Sequence, residues 1–406
     1  MKIHFIGIGG IGVSALAQYY LQKGYEISGS DLAPSEITDA MAKVGVEIFI
    51  GNKPEHIKPD VDLVVYSPAV KSDNQEFMTA KKLGIKLQSY PEALGQLTRE
   101  YTTIAISGSH GKSTTTAMTA LVLIAGGIDP TVIVGTKLKE FGNSNFRAGK
   151  SNYLVIEACE YDGSFLEYSP TIAVITNIDK EHLDYFKTFA NVKKAFKEFV
   201  KKVPQDGLLI TEKNLPMKEV KNLKLQVPGQ HNILNALAAL SVARFLGVAD
   251  EISFQALSEF TGTWRRFEIT KTEPYTVVSD YGHHPNEILA TLTAAREKYP
   301  DKKIWVIFQP HQYQRTYYLL KDFIKVFRKI NIDNIIITDI YDVAGREEKN
   351  INQKINSELL VKKINKKNVQ YANIIDAEKY VKGNVKNGEV VIIMGAGDVY
   401  KLADRF

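Results

Sequence analysis

Short apolar runs rich in β-branched residues alternate along this chain with longer segments whose apolar positions recur at helical spacing. The first stretch reads KIHFIG, VSALAQYYLQKG, YEISGSD, ITDAMAKVG, VEIFIG, DLVVYSP, EFMTAKKLG and IKLQSY in turn. Alternation of the two periods predicts a parallel sheet covered by helices. A fresh strand opens at TTIAIS, and a threonine-rich helix follows it and stops at Gly126 and Gly127. NYLVIE and TIAVITN continue as strands, and PGQHNILNALAALSVARFLG reads as a long helix. After FTGTWRRFE come the strands YTVVSDY, KKIWVIFQPH, NIIITDIY and EVVIIMGAGD, separated by helical stretches such as NEILATLTAAREKYP. The pattern predicts an α/β protein of three domains, with boundaries at 1–98, 99–262 and 263–406.

Composition narrows the class. A chain of 406 residues is too long for one ordinary core. Hydrophobic residues at 44% and charged residues at 24% fit a soluble globular protein and exclude a disordered or fibrous one. The longest apolar stretch, ALVLIAGGIDPTVIVG, is interrupted by the paired glycines, Asp129 and Pro130, so no membrane span is expected. MKIHFIG enters a strand and its turn directly, without the pattern of a signal peptide, and a cytoplasmic location is expected. The single cysteine, Cys159, excludes an intrachain disulfide, cannot build a metal site alone, and is expected as a small buried residue. A net charge of +5 suits anionic substrates, while the lysines of KKINKKN read as a solvated helix face and turn, not a nucleic-acid surface.

Two glycine-rich loops carry the chemistry. In GIGGIG, Gly7, Gly9 and Gly12 have the GxGxxG spacing between a strand and a helix, which lets backbone approach a pyrophosphate and aims helix N–H groups at it. Asp31 follows about 20 residues later, where an acidic side chain meets a ribose or base. The second loop, GSHGKST, is a shortened relative of the Walker pattern, with Ile106 where its first glycine falls. Backbone groups of Gly108, Ser109, His110, Gly111 and Thr114 can surround phosphates, Lys112 can reach the β- and γ-phosphates, and the Ser113 hydroxyl can ligate magnesium. ATP is the expected ligand. Glu157 closes NYLVIE, and TNIDKEHLD brings Asn177, Asp179, His182 and Asp184 to the end of another strand. Oxygen donors with one imidazole suit magnesium better than zinc.

With these residues assembled, the chain resembles the Mur ligase family along nearly its whole length. The matching stretches are HFIGIGGIGVSALA, GSHGKSTTTAM, EACEYDGSFL, TNIDKEHLD, PGQHNILNALAA, GTWRRFE, SDYGHHPNE, FQPHQYQRT and GAGD, in the family's order. The resemblance implies an N-terminal Rossmann-like domain for a UDP-sugar, a central P-loop ATPase-like domain for ATP, and a C-terminal Rossmann-like domain that closes over both. It implies an ATP-dependent ligase that phosphorylates the lactyl carboxylate of UDP-N-acetylmuramate and passes the acyl group to the amine of L-alanine, in peptidoglycan precursor synthesis. The sugar nucleotide would lie on Gly7, Gly9, Gly10, Ile11, Gly12, Ser30 and Asp31. His231, Asn232 and Asn235 would line the adenine side, with Arg266 and Asp280 reaching the nucleotide from the third domain. His283, His284, His311 and Arg315 would stand near the muramyl and amino-acid groups, with Lys112, His182, His283 and Arg315 as the catalytic set. Magnesium would sit on Ser113, Glu157 and His182. Arg265, beside Arg266, is expected as a surface charge.

The chain departs from the family in three places. HQY stands where the family usually has PHRY, so Gln312 replaces a cation able to hold a carboxylate, and alanine, glycine and serine stay open. Between QDGLLITEK and VPGQHN the chain is shorter by some tens of residues, and DIYDVAGREE is a variant segment. Three other readings compete. An NAD dehydrogenase on GIGGIG would leave GSHGKST without a purpose, and a binding module using ATP for closure alone has no need of Lys112, Glu157 and His182 together. A related ligase could add another amino acid or a recycled peptide to the same sugar. Monomer and homodimer are both open.

Overall fold

The computed structural model describes residues 1–342, 347 and 350–406, and at Asp184 the backbone alone. Its contacts divide the chain into one unit of Met1–Lys224 with Leu234–Glu259 and another of Leu225–Ile233 with Phe260–Phe406. Mixed α/β structure with three sheets among the described residues bears out the expected fold class.

The first unit opens with β1 (Lys2–Ile6), α1 (Ile11–Gln22), β2 (Glu26–Asp31), α2 (Glu36–Lys43), β3 (Glu47–Ile50), β4 (Leu63–Tyr66), α3 (Gln75–Lys82), β5 (Lys86–Ser89) and α4 (Tyr90–Thr98). These strands form one parallel sheet in the order β3-β2-β1-β4-β5. Side-chain caps start three of these helices. Ser35 and Ser89 close capping boxes at α2 and α4, and Asn74 caps α3 through the Phe77 N–H. The strand order reverses at β1, so the loop after β1 lies at the switch point where such sheets bind ligands.

A second sheet follows with β6 (Thr102–Ser107), α5 (Lys112–Ala125), β7 (Thr131–Leu138), β8 (Ser144–Arg147), β9 (Tyr153–Glu157), β10 (Ile172–Ile175), α6 (Leu183–Phe186), α7 (Phe189–Val200) and β11 (Leu208–Thr211), flanked by α8 (Gln230–Phe245) and α9 (Asp250–Glu259). Its order is β11-β10-β6-β9-β7-β8, with β8 antiparallel to β7. Here the order reverses at β6. Register pairs Ile106 of β6 with Glu157 of β9, and Ser107 with Ile175 of β10. The residues just beyond these three strands therefore come out at one edge. The connection from β11 to α8 is two 3-10 turns, Glu212–Asn214 and Met217–Asn222. Arg244 pins it, binding both Asp250 oxygens at 2.8 and 2.7 Å and Glu219 at 3.1 Å.

The second unit carries β12 (Glu268–Lys271), β13 (Thr276–Asp280), α10 (Pro285–Lys298), β14 (Ile304–Phe308), α11 (Tyr313–Tyr318), α12 (Leu320–Lys329), β15 (Asn334–Ile337), α13 (Ser357–Ile364), β16 (Val369–Tyr371), α14 (Ile374–Asn384) and β17 (Val390–Met394). Its sheet runs β12-β13-β17-β14-β15-β16, antiparallel only at β12. Every residue of β13, β14 and β17 is buried, as expected for strands covered on both faces. Among the described residues no helix is long and apolar enough to cross a membrane.

Candidate active site

Gly7 has φ +83°, a conformation other residues enter at a cost, and its N–H and that of Ile8 both bind the Ser30 carbonyl, at 2.8 and 3.0 Å. Gly9 donates to an Asp31 oxygen at 2.9 Å, and a Cβ on Gly9 would lie 2.8 Å from that oxygen. Asp31 thus braces the loop it was expected to serve. The Ser30 hydroxyl turns inward instead and donates to Glu76 at 2.5 Å. Glu76 is fully buried, with Nδ1 of His56 at 2.5 Å and Nε2 of His4 at 3.8 Å. Burial alone drives its carboxyl upward, but nearby His4 and the hydrogen bonds from Ser30 and His56 outweigh that and hold it below the ordinary carboxylate value.

The second loop is tied to the strand beside it. Ser109 N–H donates to the Asn177 carbonyl at 3.0 Å, His110 N–H to Asn177 Oδ1 at 2.9 Å, and Asp179 N–H to Ser109 Oγ at 2.8 Å. His110 Nε2 lies 3.2 Å from Asp179. Two loop N–H groups expected to face phosphate are therefore engaged by Asn177. The N–H groups of Lys112, Ser113 and Thr114 occupy the first turn of α5, where a helix supplies no partner of its own. Gly111 caps that helix at φ +83°, and a Cβ there would lie 2.6 Å from the side chain of buried Asn235.

Lys112 folds back over its own loop. Its ammonium donates to the carbonyls of Gly108 at 2.6 Å and Ser109 at 3.2 Å and lies 2.9 Å from Glu160. Burial works against the charge, yet the Glu160 carboxylate, with Cys159 and Glu157 behind it, raises Lys112 above the usual lysine value. Glu160 is 1% exposed, and His182 Nε2 stands 3.7 Å from its other oxygen. Glu157 accepts from the Gly135 N–H at 2.8 Å. The Cys159 thiol is pushed up to about 12, first by burial and then by Glu160. Glu160 escaped the reading of the sequence, which stopped at Glu157 three positions earlier; the run of acids after a strand end was its only signal. The Asp184 side chain lies outside the described residues, as do positions 343–346 and 348–349 of the variant segment.

In the second unit, Asp280 closes β13 and accepts from Phe267 N–H and Gly282 N–H at 2.8 Å each and from Thr291 at 3.2 Å. Burial raises its carboxyl, and Arg266 opposes that. The Arg266 guanidinium lies over the Tyr281 ring at 4.7 Å and 4.0 Å from Glu287. Asn232 donates to the Pro228 carbonyl at 2.7 Å, and His231 packs on Gly229, where a Cβ would lie 2.6 Å from its ring. Arg265 is a correction. It is 5% exposed, sits over the rings of Tyr400, Tyr281 and Trp264 at 4.2, 4.9 and 5.4 Å, and donates to the carbonyls of Gly395 and Gly397. Three aromatic faces and two carbonyls offset the loss of hydration, which is why this cation stays inside.

The histidines expected near the substrate gather at the ends of β13 and β14. His284 is buried and caps α10, and Glu287 accepts from the N–H groups of His283 and His284 at 3.0 and 3.2 Å. Nδ1 of His283 faces the Tyr281 carbonyl at 3.1 Å and Glu287 at 3.4 Å. Both are acceptors, so Nδ1 carries a hydrogen. His311 stacks on Tyr341 at 5.6 Å and lies 5.7 Å from the His283 ring. Arg315 donates to its Nδ1 at 3.1 Å, which leaves the His311 hydrogen on Nε2. Gln312 is buried at the head of α11, its N–H on the Tyr341 carbonyl at 2.9 Å.

Family models match in chain order: the Mur ligase family catalytic domain over residues 2–102, the Mur ligase middle domain over 106–223, and the Mur ligase glutamate ligase domain over 265–397. The chain belongs to the Mur ligase family. Among relatives of this Mur ligase, a UDP-N-acetylmuramate–L-alanine ligase of Clostridium tetani is 41% identical over 453 aligned positions, covering 100% of this chain and 97% of the relative. An enzyme of the same name from Acetivibrio thermocellus is 40% identical, covering 100% and 95%. The alignments run longer than the chain, as expected for a shortened member. Among solved structures, the UDP-N-acetylmuramate-alanine ligase of Thermotoga maritima superposes with a TM-score of 0.83 at 30% identity, covering 100% of this chain and 98% of its own. A murein peptide ligase of Psychrobacter arcticus superposes at 0.74 with 23% identity and covers 98% of its own chain and 100% of this one, which is a likeness of fold.

Proposed function

We propose that this Mur ligase joins L-alanine to the lactyl carboxylate of UDP-N-acetylmuramate at the cost of ATP, in the cytoplasm. The observation that carries the reading is the pairing of two separate anion loops in one unit, one braced by a carboxylate and one bearing a lysine, in a chain aligned end to end with enzymes of that name. The first loop holds the diphosphate of the sugar nucleotide, and the second holds the triphosphate. A carboxylate oxygen of the sugar attacks the γ-phosphorus, and ADP leaves. Lys112 offsets the negative charge gathered on the phosphates, and the first N–H groups of α5 add their share.

The acyl phosphate that results is a far better electrophile than the acid. The amine of L-alanine attacks its carbonyl carbon, inorganic phosphate departs, and the amine's proton passes to Nε2 of His283, whose orientation Glu287 and the Tyr281 carbonyl fix. Arg315 pairs with the alanine carboxylate while holding His311. The hydroxyl of Ser113, the carboxylate of Glu157 and the imidazole of His182 suit a magnesium ion, and Glu160, buried beside His182 with the oxygen that faces it accepting no hydrogen bond, adds to the demand for positive charge. Bound there, such an ion would supply positive charge against the negative charge of the phosphates. His231, Asn232, Asn235, Arg266 and Asp280 serve the nucleotide.

The test is phosphate release by the purified chain with ATP, magnesium and UDP-N-acetylmuramate, with each amino acid and then a muropeptide-type tripeptide as acceptor. Release with L-alanine at least about tenfold faster than with glycine or L-serine is the expected outcome. Release with the tripeptide alone overturns the alanine reading in favour of a recycling ligase.

A further inference from the structure

Beside Lys112 the fold brings together three side chains of different donor chemistry. Cys159 and Glu160 follow β9, and His182 precedes α6. One ligand atom from each lies within 4.8 Å of those of the other two. Glu160 is 1% exposed, one oxygen lies 2.9 Å from the Lys112 ammonium, and the other, which faces His182, accepts no hydrogen bond. A desolvated carboxylate requires a cation, and here the chain supplies its own.

Lys112 is also the cation that the proposed reaction needs at the phosphates. Once a triphosphate draws the ammonium off, Glu160 faces His182 and Cys159 without its counter-charge. A sulfur, a carboxylate oxygen and an imidazole nitrogen, with a fourth position open, are poorly suited to magnesium and well suited to a zinc-class ion. We propose that Cys159, Glu160 and His182 form a site for a thiophilic divalent cation that is occupied in exchange for Lys112. On coordination the thiol gives its proton to solvent, a metal–sulfur bond forms, and thiolate and carboxylate balance the dication. His182 cannot serve this ion and magnesium together, so the same ion inhibits ligation. The nucleotide dependence of the exchange rests on the proposed ATP role of the second loop, and the site itself does not.

Cadmium is the probe, because its thiolate complexes absorb in the near ultraviolet and this chain has one cysteine to produce the band. Titrated into the full chain with magnesium and a non-hydrolysable ATP analogue, Cd2+ is expected to raise that band with an affinity at least about tenfold above that seen without the analogue. Lys112→Met is expected to give the higher affinity with no analogue present. Cys159→Ser should abolish the band, while Glu160→Gln and His182→Ala should each weaken it at least about tenfold. Circular dichroism checks that each variant is folded. A band indifferent to Glu160→Gln and His182→Ala reports the cysteine acting alone and overturns the site. Equal Cd2+ affinity in Lys112→Met and the parent overturns the exchange. Failure of the analogue to bind, followed by calorimetry, counts against the ATP reading instead, and the Lys112→Met titration still decides the site.

Discussion

The two glycine loops of the first unit share a strand, a tight turn and a helix, and differ in what stands behind them. Behind the loop at Gly7 is Asp31, whose carboxylate takes the Gly9 N–H and holds the backbone in shape. Behind the loop at Gly108 is Glu160, whose carboxylate takes no backbone group and faces the Lys112 ammonium. The first carboxylate is spent on the conformation of its loop. The second is spent on a side-chain charge. A group that must only be held needs a preorganised cradle, whereas a phosphoryl group that is to move needs a cation to follow the charge as it develops.

Lys112→Ala puts the largest strain on this contrast. Removing the lysine deletes the loop's one side-chain cation, and ligation should fall by about 10³-fold or more. The affinity for UDP-N-acetylmuramate should stay within about twofold, since the site proposed for the sugar nucleotide is the other loop. Steady-state phosphate release and isothermal titration measure the two effects separately. Comparable losses of both in a folded variant would mean that the loops act on one ligand.

A pair of alanine substitutions sharpens the difference in backbone design. At Gly111, alanine meets both a left-handed conformation, φ +83°, and the Asn235 side chain 2.6 Å away. The expected cost is about 1–3 kcal/mol, read as a fall of roughly 5- to 150-fold in affinity for ATP. At Gly9 the backbone tolerates alanine, and the conflict is with Asp31 alone, 2.8 Å away at the end of a side chain. Loss of the Gly9 to Asp31 bond should cost about 1 kcal/mol and weaken UDP-sugar binding by roughly 5-fold, leaving ATP untouched. Crossed effects, with Gly9→Ala acting on ATP, would erase the division of labour.

The loops themselves were legible because glycine spacing after an apolar strand is a local signal, and the alternation of periods gave the three sheets for the same reason. What stood behind the loops was not legible. Glu160 is one acid in the run EACEYD, and only the register of β6 against β9 decides that it meets Lys112. Glu76, His4 and His56 come from three separate segments; His4 showed merely as a polar residue in an apolar strand. Arg265 and Arg266 are adjacent and alike, and the turn at Arg265, φ +57°, sends one into an aromatic cage and leaves the other facing Glu287. The antiparallel β8 and β12 were missed because a short edge strand shows little alternation.

The smallest expected effect concerns the scaffold under the first loop. Glu76 receives Ser30, His56 and, at longer range, His4, and its carboxyl lies below the ordinary value of 4.5. A group depressed in the folded state adds stability above its unfolded pKa, and that stability drains away as pH falls through the folded value. Glu76→Gln should therefore cost about 1–3 kcal/mol near neutrality, measured as a lower urea midpoint at unchanged slope. The gap between parent and variant should narrow as pH drops below about 4.5. If the gap held constant down to strongly acid pH, shape and hydrogen-bond count at Glu76 would explain its burial, with no part for its charge. The second loop would then be alone in resting on a buried ionised carboxylate, and the contrast between the loops would be sharper still.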